Sequence, residues 1–252
     1  MAERALVFGL HAVGAVLSHS PERILELWLS SGRDDPKIKS LRGNAEAAGI
    51  KPQPASADAL RKLVGDVTHQ GVVAAIRPLA PWHDNELLTA VAASKDPAFL
   101  LVLDGVSDPH NLGACLRSAD AAGVQALVVP KDRSAHIDAV VRKVAAGAAE
   151  FVPVATVTNL ARTLEALKGL GVWVVGTDGE AVETLFGADL NRPLALVLGA
   201  EGSGLRRLTR EKCDFLVKIP MAGRIESLNV SVAAGIALFE ARRQRSKLTV
   251  TP

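Results

Sequence analysis

From residue 99 onward, the chain alternates unbroken apolar runs of strand length with segments of helical period. The runs are FLLVLD (99–104), ALVVP (126–130), FVPV (151–154), VWVVG (172–176), LALVLG (194–199) and FLVKIP (215–220). Runs that lack polar alternation predict parallel strands, because a parallel sheet is covered by helices on both faces. Helical patterns separate them at 111–122, 136–146 and 159–168, with a short one after Gly204. This alternation predicts a doubly wound α/β domain. A last helix over 229–243 is apolar nearly all round through 230–238, then turns basic at Arg242, Arg243, Arg245 and Lys247. A helix that is apolar all round belongs in a core or an interface.

Residues 5–78 use shorter elements joined by polar turns. The pattern predicts helices over 10–20, 36–48 and 58–65 and strands over 24–29, 51–55 and 71–76, a small α/β domain. Residues 79–98 hold Pro81 and Pro97, with Pro78 just ahead, around one helical stretch, ELLTAVAAS. They read as a linker. The expected organisation is therefore 1–78, a linker at 79–98, and 99–252.

Composition narrows the class. The chain has 252 residues, is 48% hydrophobic and 22% charged, and carries a formal net charge of +2. That supports a real core and argues against a binder held by charge alone, while allowing a local basic face. Two cysteines, Cys115 and Cys213, suit a reducing, cytoplasmic setting better than a disulfide scaffold. The apolar stretch 5–17 follows Arg4 like a signal segment, but His11 interrupts it and no small-x-small site follows. No run reaches the ~18–20 residues that span a bilayer, so no membrane partner is expected.

Three loops carry the candidate chemistry: DPHNLGACLRS (108–118), LGAEGSG (198–204) and IPMAGRIESLNVS (219–231). Each places Gly, Asn, Glu, Arg or Ser just past an apolar run, where α/β proteins hold ligands. The fingerprints G-x-G-x-x-G and G-x-x-x-x-G-K-[ST] are absent, and no serine sits in a G-x-S-x-G elbow. The six histidines and two cysteines show no metal-ligand spacing. What remains is a ligand held by backbone atoms plus Asn111, Arg117, Glu201, Ser227 and Asn229. Asn111 and Arg117, six apart at a strand-to-helix junction, are expected on one side of the loop end. Ser227 and Asn229 also suit the plain role of capping the last helix. Glu201 equally suits a loop-ordering acceptor of backbone amides at a helix start. Cys115 reads as a small buried hydrophobe, and His110 needs no chemical role. The basic group Arg33, Lys37, Lys39 and Arg42, interleaved with Asp34 and Asp35, reads either as a phosphate contact or as a solvated face. With no tyrosine and 4% aromatics, reading of RNA by stacked bases is disfavoured.

The three segments resemble the motifs of the SpoU-type (TrmH-type) RNA 2′-O-ribose methyltransferases of the SPOUT class: NLGACLRSA (111–119), LVLGAEGSGL (196–205), and IPM (219–221) with SLNVSVA (227–233). FGLHAV (8–13) and HQGVV (69–73) resemble the family's small ribosomal-protein-like substrate domain. The resemblance implies a fold that general rules would not propose, a parallel sheet tied at its C-terminal end into a trefoil knot. It implies S-adenosylmethionine as methyl donor, no metal, and a homodimer. By the same carry-over, Gly199, Ile219 and Leu228 are cofactor contacts. Asn111, Arg117, Glu201, Ser227 and Asn229 form the catalytic set, with Arg117 gripping a phosphate and stabilising the developing alkoxide. Within the family, the likeness is to enzymes acting on a guanosine ribose in the P loop of domain V of 23S rRNA, on free rRNA or a large-subunit precursor. A tRNA 2′-O-methyltransferase and a non-catalytic ribosome-assembly factor are the alternatives.

Overall fold

Among the described residues, seven strands of the C-terminal half pair in parallel, and helices cover both faces of their sheet. The computed structural model describes residues 4–33 and 35–246, so Asp34 and Lys247 of the basic groups above lie outside the described residues. The chain divides into two units, Met1–Leu79 and Ala80–Pro252.

The first unit holds β1 (Ala5–Phe8), α1 (Leu10–His19), β2 (Ile24–Ser30), α2 (Pro36–Ala47), β3 (Gln53–Ala55), α3 (Ala57–Val64) and β4 (Val72–Ile76). Its sheet runs β1-β4-β2-β3, with β4 antiparallel to both neighbours. This central place explains why all five residues of β4 are apolar and fully buried. Asp35 and Ser56 accept backbone N–H groups at the starts of α2 and α3, and Pro36 at the first position of α2 gives up no needed donor. Arg33, Lys37, Lys39 and Arg42 are exposed on and just before α2, and Arg33 pairs with Asp35 at 2.6 Å.

The second unit contains α4 (Asp84–Ala93), β5 (Phe99–Asp104), α5 (Pro109–Ala122), β6 (Ala126–Pro130), α6 (Ala139–Val144), β7 (Val154–Val157) and α7 (Leu160–Gly169). It continues with β8 (Trp173–Thr177), β9 (Glu183–Thr184), β10 (Leu194–Gly199), α8 (Arg207–Lys212), β11 (Phe215–Lys218) and α9 (Val230–Arg245). Alternation along β5 supplies both faces. Phe99, Leu101 and Leu103 pack with residues of α5 and α9, while Leu100 and Val102 pack with residues of α4 and α7. Burying each large apolar side chain contributes about 1.5–3 kcal/mol.

Two predicted elements shift. The run 151–154 is not the strand; β7 starts at Val154 because Phe151 closes a 3-10 turn over Ala148–Glu150 and Pro153 has no N–H to donate. The helix expected over 136–146 is shortened to α6, capped by Asp138, and Gly147 at φ 101° turns the chain out of it. The winding also departs from a plain doubly wound sheet, in which each new strand adds at an edge. The order is β7-β6-β5-β10-β8-β11-β9. β10 therefore lies between β5 and β8, and β11 between β8 and β9. Glycines mark where the chain passes close to itself. A Cβ on Gly176 would lie 2.7 Å from Cys213 Sγ, and one on Gly113 2.7 Å from Val144 Cβ.

Candidate active site

The C-terminal ends of β8, β10 and β11 and the first turn of α9 line an open cavity of about 1070 Å³. Sheet edges of this kind leave backbone groups free of the ladder and available to a ligand. Gly199, Glu201, Ile219, Ser227, Leu228 and Asn229 all line it. The loop after β10 closes on itself. Gly204 N–H donates to Ala200 O at 3.0 Å, and Gly202 and Gly204 hold φ of +78° and +64°. Those angles suit glycine, since a side chain there is strained.

Glu201 organises the floor of this site. Its Oε1 accepts from Asn229 Nδ2 at 2.6 Å, Asn111 Nδ2 at 3.1 Å and Val230 N–H at 3.2 Å. Asn229 Nδ2 also lies 2.9 Å from Asn111 Oδ1. On its other side, Asn229 Oδ1 accepts from Ser231 N–H at 2.9 Å and from Ser231 Oγ at 2.6 Å. Asn229 is thus the N-cap of α9 and at the same time a member of the network. The carboxylate sits at the positive end of that helix, where a negative charge is stabilised. One oxygen joins three segments that lie 90 and 28 residues apart. Ser227 lines the cavity and is exposed; the cap role falls to Asn229.

Arg117 lies elsewhere. Asn111 is buried and reaches the site through Glu201 and Asn229, whereas Arg117 is exposed on α5; neither is part of the cavity lining. The expectation that both face one side fails for a simple reason: at about 100° per residue, six positions leave them roughly 120° apart around the helix. Among the described residues no side chain pairs with Arg117. Cys115 is fully buried in the core, and burial pushes its thiol up to about 12.

The structure adds residues that the motifs did not point to. Thr177, Glu180 and Lys218 line the same cavity. Asp104, the last residue of β5, is 1% exposed and accepts Arg206 N–H at 2.9 Å as well as the Arg206 guanidinium. Its only signal in the sequence is an acid closing an otherwise apolar run. Among the described residues there is no group of three or more metal-ligating side chains, and no helix long and apolar enough to cross a membrane.

Comparisons with known proteins converge on one family. Residues 98–239 match the SpoU rRNA Methylase family, and residues 6–82 match the RNA 2′-O ribose methyltransferase substrate binding family. The Pseudomonas aeruginosa protein named 23S rRNA (guanosine-2′-O-)-methyltransferase RlmB is 55% identical over 250 residues, covering 98% of this chain and 100% of the relative. The Escherichia coli protein of the same name is 53% identical, with 96% and 99% covered. Among solved structures, the SpoU methyltransferase AviRb from Streptomyces viridochromogenes in complex with AdoMet superposes with a TM-score of 0.74 at 26% identity, covering 96% of this chain and 90% of that one.

Proposed function

The chain belongs to the SpoU rRNA methylase family, and we propose that it transfers a methyl group from S-adenosylmethionine to the ribose 2′-hydroxyl of a guanosine in 23S rRNA. The observation that carries this reading is the Glu201–Asn111–Asn229 network, in which buried Asn111 holds Glu201 and Asn229 at the edge of a cavity bounded by Gly199, Ile219 and Leu228.

The residues present fit the cofactor. The cavity is of a size that accepts a nucleoside-bearing ligand. Its loop is glycine-rich and left-handed at Gly202 and Gly204, which leaves backbone groups approachable. Ile219 and Leu228 supply apolar surface for a base. Bound there, the cofactor supplies an electrophilic sulfonium methyl.

A ribose hydroxyl is a weak nucleophile at neutral pH, so the protein's task is alignment and charge stabilisation. Ser227 stands at the cavity wall to orient the ribose. Glu201 commits Oε1 to three donors, which supports its role as the organiser of loop and helix over that of a proton acceptor. Arg117 is a permanently charged fork suited to a phosphate of the target and to the oxygen as charge develops on it.

Because Arg117 stands outside the cavity lining, a homodimer in which one protomer's Arg117 serves the other's cavity completes the site. Val232 and Phe239 of α9, 49% and 51% exposed, supply apolar surface for such a contact. The insertion of β10 and β11 between strands placed earlier fits the trefoil knot implied by the family. Residues 1–78 serve as the RNA-holding domain, and the P loop of domain V is the expected target.

The test is transfer of labelled methyl from S-adenosylmethionine to unmodified 23S rRNA, with tRNA in parallel and the product mapped for 2′-O-methylation. One labelled guanosine in the domain V P loop is expected. Label confined to tRNA, or no label despite cofactor binding, overturns the reading.

A further inference from the structure

We propose that Asp104 and Arg206 form a positioning clasp that holds the 199–206 loop against β5 and so keeps that wall of the cofactor cavity in place. This rests on the methyltransferase reading above. Asp104 is the register partner of Gly199 across the β5–β10 pair, so it sits beside the point where the loop leaves the sheet. Seven residues later the chain returns to it. Arg206 N–H donates to Asp104 Oδ2 at 2.9 Å, and the Arg206 guanidinium pairs with Oδ1. Between these ends the loop carries Glu201, whose Oε1 must meet donors from Asn111 and from the start of α9. Asn111 in turn lies on the segment that leaves β5 just after Asp104. One carboxylate therefore sets the position of two of the three pieces that meet at Glu201.

Stability alone does not account for the pair. The rest of β5 is apolar and buried, and Asp104 is almost fully buried while its partner is 42% exposed. Apolar residues in place of a buried ion pair are often neutral or stabilising, whereas the pair holds its geometry through a rigid fork. A main-chain bond and a side-chain bond on one carboxylate fix both the position and the direction of residue 206. Neither residue lines the cavity, so the effect on chemistry passes through the loop.

The test uses the full chain and four variants: Asp104→Asn, Arg206→Met, Arg206→Lys, and the double variant Asp104→Asn/Arg206→Met, in which no unpaired charge remains. Measured for each are the calorimetric Kd for S-adenosylmethionine, KM and kcat on 23S rRNA, and the melting temperature. The clasp predicts that the double variant melts like the parent yet binds cofactor about tenfold more weakly, with kcat at saturating cofactor within about threefold. Arg206→Lys, which keeps the charge without the fork, recovers part of the affinity. If the double variant recovers both melting temperature and affinity, the pair is merely structural and the proposal fails. If the parent itself binds no S-adenosylmethionine, the methyltransferase reading fails instead.

Discussion

Gly199→Ala puts the geometry of the cavity to a direct test. An added Cβ would stand 2.1 Å from Gly204 C, 2.3 Å from Gly204 O and 2.4 Å from Leu205 N, whereas ordinary contact begins at 3.4 Å. All three atoms are backbone, so no side chain can swing aside and the chain at 204–205 must retreat by more than an ångström. Overpacking of this kind costs about 1–3 kcal/mol, with the upper end expected where only backbone can yield. Two places can absorb that strain. β10 is buried between β5 and β8, whereas Glu201, Gly202 and Ser203 of the loop are exposed, so the loop yields first. The loop carries the cavity wall, so about 3 kcal/mol appears as a roughly hundredfold loss of cofactor affinity. If the sheet took the strain instead, affinity would hold and the melting temperature would drop by about 6–12 °C. Calorimetric titration with S-adenosylmethionine, alongside thermal unfolding by circular dichroism, separates the two. Gly223→Ala is the control, because Gly223 lines the same cavity and a Cβ there meets no atom within 4 Å; its affinity should stay within about twofold of the parent. Threefold or less lost by Gly199→Ala would refute the reasoning.

Three further outcomes follow from the same geometry. Glu201→Ala leaves Asn111 Nδ2, Asn229 Nδ2 and Val230 N–H without their shared acceptor; bonds to a charged group contribute about 1.5–3 kcal/mol each, so single-turnover methyl transfer should fall at least about a hundredfold, with Glu201→Gln between. Activity within about tenfold of the parent would remove Glu201 from the site. Mixing Arg117→Ala protomers with Glu201→Ala protomers should restore about a quarter of parental activity if each site draws Arg117 from the other subunit, since half the dimers are mixed and each of those holds one complete site; no recovery on mixing would place Arg117 in its own protomer's site or dispense with the dimer. Finally, burial pushes the thiols of Cys115 and Cys213 up to about 12, with the neighbouring Asp214 carboxylate adding to the effect at Cys213. The thiolate is the reactive form, and at pH 8 only about one thiol in ten thousand is ionised, so a disulfide reagent should label neither in the folded protein and both after unfolding. Rapid labelling of the folded chain would contradict the packing around them.

Legibility in the sequence followed the range of the interaction. The runs at 99–104, 126–130 and 194–199 appear as strands with those boundaries, because local period and burial on both faces carry the signal. The cap at Asn229 was equally local. Phe151–Pro153 misled because an apolar run cannot itself say where a ladder starts; that is decided by the partner, where Leu127 meets Val154. The insertion of β10 between β5 and β8 left no local trace, since the pairing of residues 99–104 with 194–199 depends on contacts nearly a hundred positions apart.

The candidate site divides along the same line. Its residue types stood out in three loops, but their roles depended on partners that only the fold supplies. Asn229 as a cap is a local reading and Asn229 as a donor to Glu201 is a long-range one; its two side-chain ends do both at once. The same logic explains why Arg117 was misplaced and Asp104 overlooked. Helical angle, not proximity in sequence, turns Arg117 away from Asn111. Asp104 acquires its meaning from Arg206, 102 positions later. A site whose floor is one carboxylate oxygen shared by three chain segments exists only when all three arrive together. Changes at the loop necks, Gly199 and Asp104, should therefore reach the site through cofactor affinity, whereas changes at Glu201 reach methyl transfer itself.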